Sequence, residues 1–150
     1  METIKKFVVI GPESTGKSTL CSQLAKHYDT FWVPEYAREC LEKNGRNYTY
    51  DDLLTIAKGQ IELEDSTRYQ APGTRRKPSA TSLEYRTPGI IHQTSFLPPP
   101  GVRGPLFIDT DMYVMKVWCE YVFNKCHNWI LNRVAERNYD GYMLCNTDLP

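Results

Sequence analysis

The sequence lacks long apolar runs, an excess of charge of either sign and paired cysteine motifs. No run approaches the roughly 20 apolar residues that cross a bilayer, so we expect no transmembrane segment. The start, METIKK, leads straight into a predicted strand without the apolar core of a signal peptide. Lysine and arginine together number 18, as do aspartate and glutamate, which argues against nucleic-acid binding through an overall basic field. The five cysteines form no CxxC pair, so we expect neither disulfides nor a zinc site, and a cytoplasmic protein.

The composition is that of an ordinary globular domain. The 150 residues, 41% of them apolar and 24% charged, suffice for one domain with a hydrophobic core. Hydrophobic periodicity predicts strands at 7–10, 30–33, 106–109 and 141–145. It predicts helices at 17–28, about 35–45, about 50–68, 112–123 and 129–137. This order predicts an α/β fold with a mostly parallel sheet and helices on both faces.

Residues 71–105 interrupt that pattern. They contain seven prolines and four glycines, with five basic residues against one acidic residue. A connection this long without regular structure is unusual inside a compact domain. We interpret it as a disordered Pro/Gly-rich insertion in a single domain spanning 1–150. A lid or partner-binding role and a solvated loop with no specific role both stay open.

The stretch GPESTGKST, residues 11–19, carries the clearest chemical signal. Gly11, Gly16, Lys17 and Ser18 match G-x-x-x-x-G-K-[ST] between a predicted strand and a predicted helix. A chance match in a chain of this length is roughly a one-in-two-hundred event. In such a P-loop the backbone N–H groups bind phosphates, the lysine reaches the β- and γ-phosphates, and the serine hydroxyl binds Mg²⁺. The alternative, an ordinary glycine-rich turn, does not explain the Lys-Ser pair.

Asp109 ends the predicted strand LFID. Ligands of open parallel sheets collect at the carboxyl ends of the strands, so Asp109 could hold a Mg²⁺-bound water as the Walker-B aspartate does. Ser18 and Asp109 are therefore the predicted metal residues. The alternative is that Asp109 caps the next helix, a role that Asp111 could take instead.

Glu35 lies just beyond the second predicted strand, in WVPEYAR, beside Tyr36 and Arg38. It could accept a proton from a substrate hydroxyl or bind a ribose hydroxyl, and Arg38 could pair with a phosphate or carboxylate. An exposed glutamate in the first turn of a helix explains the position equally well. Tryptophans could stack on a base, although aromatic residues at helical spacing more often belong to a core; they are Trp32, Trp118 and Trp129.

Taken together, six segments resemble a known family. GPESTGKSTL, WVPEYAREC, IAKGQIELED, LFIDTD, WCEYVF and YDGYMLCNTDLP occur in the order found in the nicotinamide-riboside kinase domain of NadR-type proteins and related AAA-type P-loop ATPases. The resemblance covers roughly residues 4–68 and 105–150. The P-loop with WVPEYARE and DTD is a far more specific combination than the P-loop alone.

The resemblance implies a nucleoside-kinase-like P-loop NTPase that transfers the γ-phosphate of ATP to the 5′-hydroxyl of a nucleoside such as nicotinamide riboside. By position, the ATP- and Mg²⁺-binding loop would comprise Gly11, Glu13, Ser14, Thr15, Gly16, Lys17, Ser18 and Thr19. The acceptor would contact Glu35, Tyr36, Arg38, Asp111 and Trp118. The catalytic residues would be Lys17, Asp109 and Glu35, with one carboxylate accepting the proton during in-line transfer.

Two features depart from the family pattern. The insertion at 71–105 separates segments that the family joins by a short polar link. Family members also continue past the end of this sequence into a lid with basic residues and a final strand, so we expect a domain incomplete at its C-terminus. A regulatory or lipid-binding ATPase and a catalytically impaired nucleotide-binding remnant therefore stay open. The sequence does not determine the acceptor nucleoside, the choice between ATP and GTP, or the oligomeric state.

Overall fold

The computed structural model describes residues 4–45, 47–70 and 104–147. The strands are β1 (Lys6–Ile10), β2 (Trp32–Val33), β3 (Leu106–Asp109) and β4 (Gly141–Leu144). The helices are α1 (Lys17–His27), α2 (Tyr36–Asn44), α3 (Tyr50–Gln70), α4 (Met112–Phe123) and α5 (Asn128–Glu136). The predicted disordered insertion at 71–105 lies outside the described residues except for its last two positions.

The four strands form one sheet in the order β2-β3-β1-β4, and every described pairing is parallel. Val9 of β1 lies opposite Asp109 of β3, and Val33 of β2 lies opposite Ile108 of β3. Parallel pairing brings the ends of these strands together, so the segments that follow β1, β2 and β3 emerge at the same edge. The predicted α/β fold with a parallel sheet is confirmed.

Helices cover both faces of the sheet. On one face, Cys21 and Ala25 of α1 pack against Val9 and Phe107. On the other face, Leu63 of α3 packs against a buried aliphatic cluster formed by Val8, Val33, Leu106 and Ile108. Strands buried on both faces read as continuous apolar runs, which is why FVVI and LFID are visible in the sequence.

Helices α2 to α5, including α3, also form a separate helical core beside the sheet. Its buried side chains come from α2 to α5 and are Ala37, Leu53, Ile56, Ala57, Ile61, Met112, Met115, Cys119 and Ile130. Part of the apolar periodicity that predicted α4 lies on its outer side, where Tyr113, Val117 and Tyr121 are exposed. The periodicity therefore identifies the helix, while the packing of its neighbours decides which stripe is buried.

Local capping residues set the ends of α2 and α3. Gly45 ends α2 with φ 81°, a left-handed value that suits glycine. Thr49 precedes α3: its Oγ1 accepts the N–H of Asp52 at 3.3 Å, and the Asp52 carboxylate accepts the N–H of Thr49 at 2.7 Å. This reciprocal capping box satisfies two N–H groups where α3 begins.

Candidate functional site

The P-loop joins β1 to α1 with a backbone that requires glycine at two positions. Gly16 precedes α1 with φ 81°, and no side chain caps that end of the helix. Gly11 has φ 147°, and a Cβ there would lie 2.6 Å from the carbonyl oxygen of Cys145. Uncapped N–H groups at a helix start, with the positive end of its dipole, form a ready binding site for an anion.

Two side chains of the loop hold its backbone in place. Thr15 Oγ1 donates to the carbonyl of Pro12 at 2.8 Å, and Lys17 Nζ donates to the same carbonyl at 2.7 Å. Both side chains belong to buried residues. An ammonium has three N–H donors, so this bond leaves further donors of Lys17 for a ligand at the loop.

Ser18 of α1 and Asp109, the last residue of β3, are in contact, as the metal prediction requires. The Ser18 hydroxyl donates to Asp109 Oδ2 at 2.5 Å, and Asp109 is fully buried. Hydroxyl and carboxylate oxygens suit Mg²⁺, which usually binds one or two protein oxygens together with phosphates and waters. Among the described residues no group of three or more His, Cys, Asp or Glu side chains could hold a metal by itself. The pair therefore suits a Mg²⁺ ion that arrives with phosphate.

Glu35 lies two residues past the end of β2, where charges near the P-loop shift its pKa. Burial raises the pKa of Glu35, and the negative charge of Asp109 raises it further. The positive charges of Arg38 and Lys17 partly offset that rise. Arg38 Nη2 lies 3.4 Å from Glu35 Oε2, with more than half of the Arg38 side chain exposed. Lys17 and Asp109 are therefore near enough to Glu35 for their charges to act on it, and the catalytic roles of the three residues stay predictions.

Asp111 has the geometry of a helix cap. Its Oδ1 accepts the N–H of Val114 at 3.1 Å, and its Oδ2 accepts the hydroxyl of Tyr142 at 2.9 Å. Burial raises the pKa of Asp111, and these hydrogen bonds lower it in part. The sequence left capping open for both aspartates, and Asp111 fills that role for α4.

Trp118 belongs to the helical core rather than to the group around the P-loop. Its Nε1–H donates to the Tyr48 hydroxyl at 2.8 Å, and the two rings meet edge to face at 5.1 Å between centroids. Trp129 packs in the same core and Trp32 against the α1 side of the sheet. The core interpretation of the tryptophans therefore agrees with their positions, and an acceptor contact for Trp118 stays a prediction.

Sequence reasoning missed two residues of α3 that reach the site, Gly59 and Gln60. Gln60 is buried, and its Oε1 accepts the N–H of Tyr36, one of the predicted acceptor residues. Two signals were present in IAKGQIELED: a glycine in a helix interior costs about 1 kcal/mol relative to alanine, and a glutamine occupies the apolar face of the helix. Each signal points to a tertiary contact whose partner the sequence alone does not reveal.

The comparisons with known proteins agree with this architecture. The family model described as an AAA domain matches residues 6–77. One similar solved structure is "Crystal structure of NadR protein in complex with NR", with a TM-score of 0.67 and 21% sequence identity. It aligns with 94% of this chain and 33% of that chain. A second, NadR protein in complex with NAD and AMP-PNP, has a TM-score of 0.63, 21% identity and coverages of 94% and 34%.

These matches confirm the resemblance to NadR-type P-loop proteins and the fold. The chain spans about a third of the length of the NadR chains that it matches. No curated protein sequence matches it. In the described part of the chain, no helix is long and apolar enough to cross a membrane.

Proposed function

We propose that this chain binds ATP with Mg²⁺ and transfers the γ-phosphate to the 5′-hydroxyl of a nucleoside. The observation that carries the proposal is that Gln60 binds the backbone on both sides of Glu35 and also the carbonyl of Asp109, so that Glu35 lies near the Ser18–Asp109 pair. A loop that only binds phosphate and Mg²⁺ needs the Ser18–Asp109 pair and no further carboxylate. A second, half-buried carboxylate near it, Glu35, is what an acceptor hydroxyl requires.

On the phosphate side, each group has a distinct role in this proposal. The N–H groups that start α1 bind the phosphates, and the Lys17 ammonium neutralises charge that builds up on the transferred group. Ser18 and Asp109 would hold Mg²⁺, which when bound neutralises charge on the phosphate oxygens. These residues orient the γ-phosphate for in-line attack.

On the acceptor side, Glu35 accepts the proton. As the acceptor oxygen bonds to the γ-phosphorus, its O–H proton passes to the Glu35 carboxylate, and the bond from phosphorus to the ADP oxygen breaks. A raised pKa makes Glu35 a stronger base than an ordinary glutamate, which suits proton transfer near neutral pH. Tyr36 and Arg38, in the first turn of α2, would contact the nucleoside.

Nicotinamide riboside is the first acceptor to test, because a NadR structure of the same fold was determined in complex with NR. The experiment incubates the purified chain with Mg²⁺, ATP and a panel of nucleosides, and detects nucleoside monophosphates by mass. We expect product from at least one nucleoside in the wild type and a fall of about 10³-fold or more in Lys17→Ala.

Lys116→Ala is the matched control, because Lys116 pairs with Glu120 at the surface of α4, and it should keep wild-type turnover. The kinase proposal fails if no nucleoside gives product in a wild-type sample that binds Mg²⁺–ATP. That outcome would instead favour the nucleotide-binding remnant or a regulatory ATPase.

A further inference from the structure

Gln60 connects the ends of two strands through three backbone groups. Its Oε1 accepts the N–H of Tyr36 at 2.7 Å, and its Nε2 donates to the carbonyls of Pro34 at 3.2 Å and Asp109 at 3.4 Å. Gln60 is 2% exposed, so its own side of each bond is shielded from bulk water. Buried polar groups of this kind fix geometry, because breaking one bond leaves its partner unsatisfied.

The bonded groups flank the predicted proton acceptor. Glu35 is the residue between Pro34 and Tyr36, and Asp109 itself supplies the third bonded group. The regular pairing between β2 and β3 covers only Trp32 and Val33 on the β2 side. Gln60 therefore continues the link between the two strand ends past the last ladder pair, at the point where the two carboxylates lie.

Gly59, the preceding residue, fixes the Tyr36 side chain. A Cβ on Gly59 would lie 2.2 Å from Cε1 of the Tyr36 ring, so the ring packs directly on the α3 backbone. Helix interiors disfavour glycine, and the close contact supplies a reason for it here. Gly59 and Gln60 together hold both the ring and the backbone of Tyr36.

We propose that Gly59 and Gln60 are positioning residues that set the place of Glu35 and Tyr36 relative to Asp109, and thereby the acceptor geometry. This inference rests on the proposed kinase function for its kinetic consequences. Neither residue touches the reacting atoms; both act through the segment from Pro34 to Tyr36.

The kinetic test replaces Gln60 by methionine, which has a similar length and cannot make the three bonds. We expect kcat/KM for the nucleoside to fall about tenfold or more, because the orientation of the acceptor is lost, while the Kd for Mg²⁺–ATP stays within about twofold. Ile61→Ala is the matched control: Ile61 is the next residue of α3 and packs in the helical core. It should lower Tm and leave both kinetic constants within about twofold.

A second variant covers the case in which Gln60→Met does not fold. Gly59→Ala favours the helix locally, but it forces the Tyr36 ring away, so the nucleoside KM should rise about tenfold with kcat for bound substrate less affected. If neither variant changes the nucleoside constants more than Ile61→Ala does, the positioning role is overturned.

An amide-exchange readout separates this inference from the kinase proposal. The Tyr36 N–H should exchange slowly in the wild type and at least about tenfold faster in Gln60→Met, with no such change in Ile61→Ala. If the wild type phosphorylates no nucleoside, the proposed function fails, and the exchange rates still decide the positioning role. Unchanged exchange of Tyr36 in Gln60→Met contradicts that role whatever the activity.

Discussion

A buried carboxylate lies at each of two edges of the sheet, the edge where the strands begin and the edge where they end. The charged groups around the two carboxylates differ. Where β1 begins, the buried Glu64 of α3 pairs with Lys6 at 3.1 Å and Arg137 at 2.8 Å, and accepts the Tyr139 hydroxyl at 3.0 Å. Where the P-loop begins, the buried Asp109 accepts a serine hydroxyl, and its charge raises the pKa of a second acid, Glu35.

The contrast separates a structural carboxylate from one that we propose to be functional. Glu64 has two cations and a hydroxyl, so its charge is compensated within the fold. Asp109 and Glu35 place like charges near each other, and Lys17 and the exposed Arg38 offset this only in part. The remaining repulsion costs stability in the free protein and suits a site that receives a metal ion and a proton. The same helix, α3, serves both edges, with Glu64 at one and Gln60 at the other.

The largest expected effect on folding comes from removing Glu64. Glu64→Ala leaves the mostly buried Lys6 ammonium without its carboxylate and leaves Arg137 with Asp65 alone, so we expect the free energy of unfolding to fall by about 3 kcal/mol. Urea unfolding followed by circular dichroism measures it. Glu39→Ala, which removes a surface pair with Lys43, should cost less than about 1 kcal/mol. Equal losses of stability in the two variants would show that Glu64 contributes no more than a surface ion pair, which would contradict the structural role given to it here.

The second prediction is that removing the charge of Glu35 stabilises the fold, whereas removing Glu64 destabilises it. In the folded state the pKa of Glu35 lies above its unfolded value, so deprotonation destabilises the fold as pH rises from about 4.5 through the folded pKa. Glu35→Gln should therefore be more stable than the wild type at pH 7, with the difference vanishing near pH 4, while turnover falls about 100-fold. Urea unfolding at several pH values and the product assay measure both effects.

Glu42→Gln, on the exposed side of α2, is the control for Glu35→Gln and should leave stability and turnover unchanged. A Glu35→Gln variant that is less stable than the wild type at pH 7 would show that this carboxylate is structural, as Glu64 is. The two edges would then no longer differ in kind.

The smallest effect is expected at Thr110, between the two aspartates. Its φ is 75°, in the left-handed region that β-branched residues rarely adopt. Thr110→Gly should raise the free energy of unfolding by about 1 kcal/mol, because glycine adopts this angle freely. Thr55→Gly, in the regular helix α3, should lower it by about 0.5 kcal/mol. Two losses of similar size would show that the turn between β3 and α4 stores no strain.

The arrangement of the candidate phosphate site was easier to predict from the sequence than that of the proposed acceptor site, for a physical reason. The P-loop is a local motif: Gly11, Gly16, Lys17 and Ser18 lie within eight residues, and the strand and helix around them are visible from apolar periodicity. The pairing of Ser18 with Asp109 followed from the rule that parallel strands end at one edge. The element order and the parallel sheet followed from the same reasoning.

The acceptor side depends on contacts between distant parts of the chain. Gln60 meets Pro34 and Asp109 across 26 and 49 positions of sequence, and no local pattern specifies such partners. For the same reason periodicity did not decide between the two stripes of α4, or show that Asp111 binds Tyr142. Helical periodicity predicts which residues share a face, and only tertiary packing determines which other residues that face contacts.

The most direct test of the central claim is the effect of Mg²⁺–ATP on thermal stability. A ligand that binds only the folded protein raises Tm, and the rise grows with the logarithm of the ligand concentration above Kd. We predict that Mg²⁺–ATP raises the Tm of the wild type more than ATP with EDTA does, and that Asp109→Asn loses this Mg²⁺-dependent part. An unchanged wild-type Tm at saturating Mg²⁺–ATP would contradict the assignment of this edge as the phosphate site.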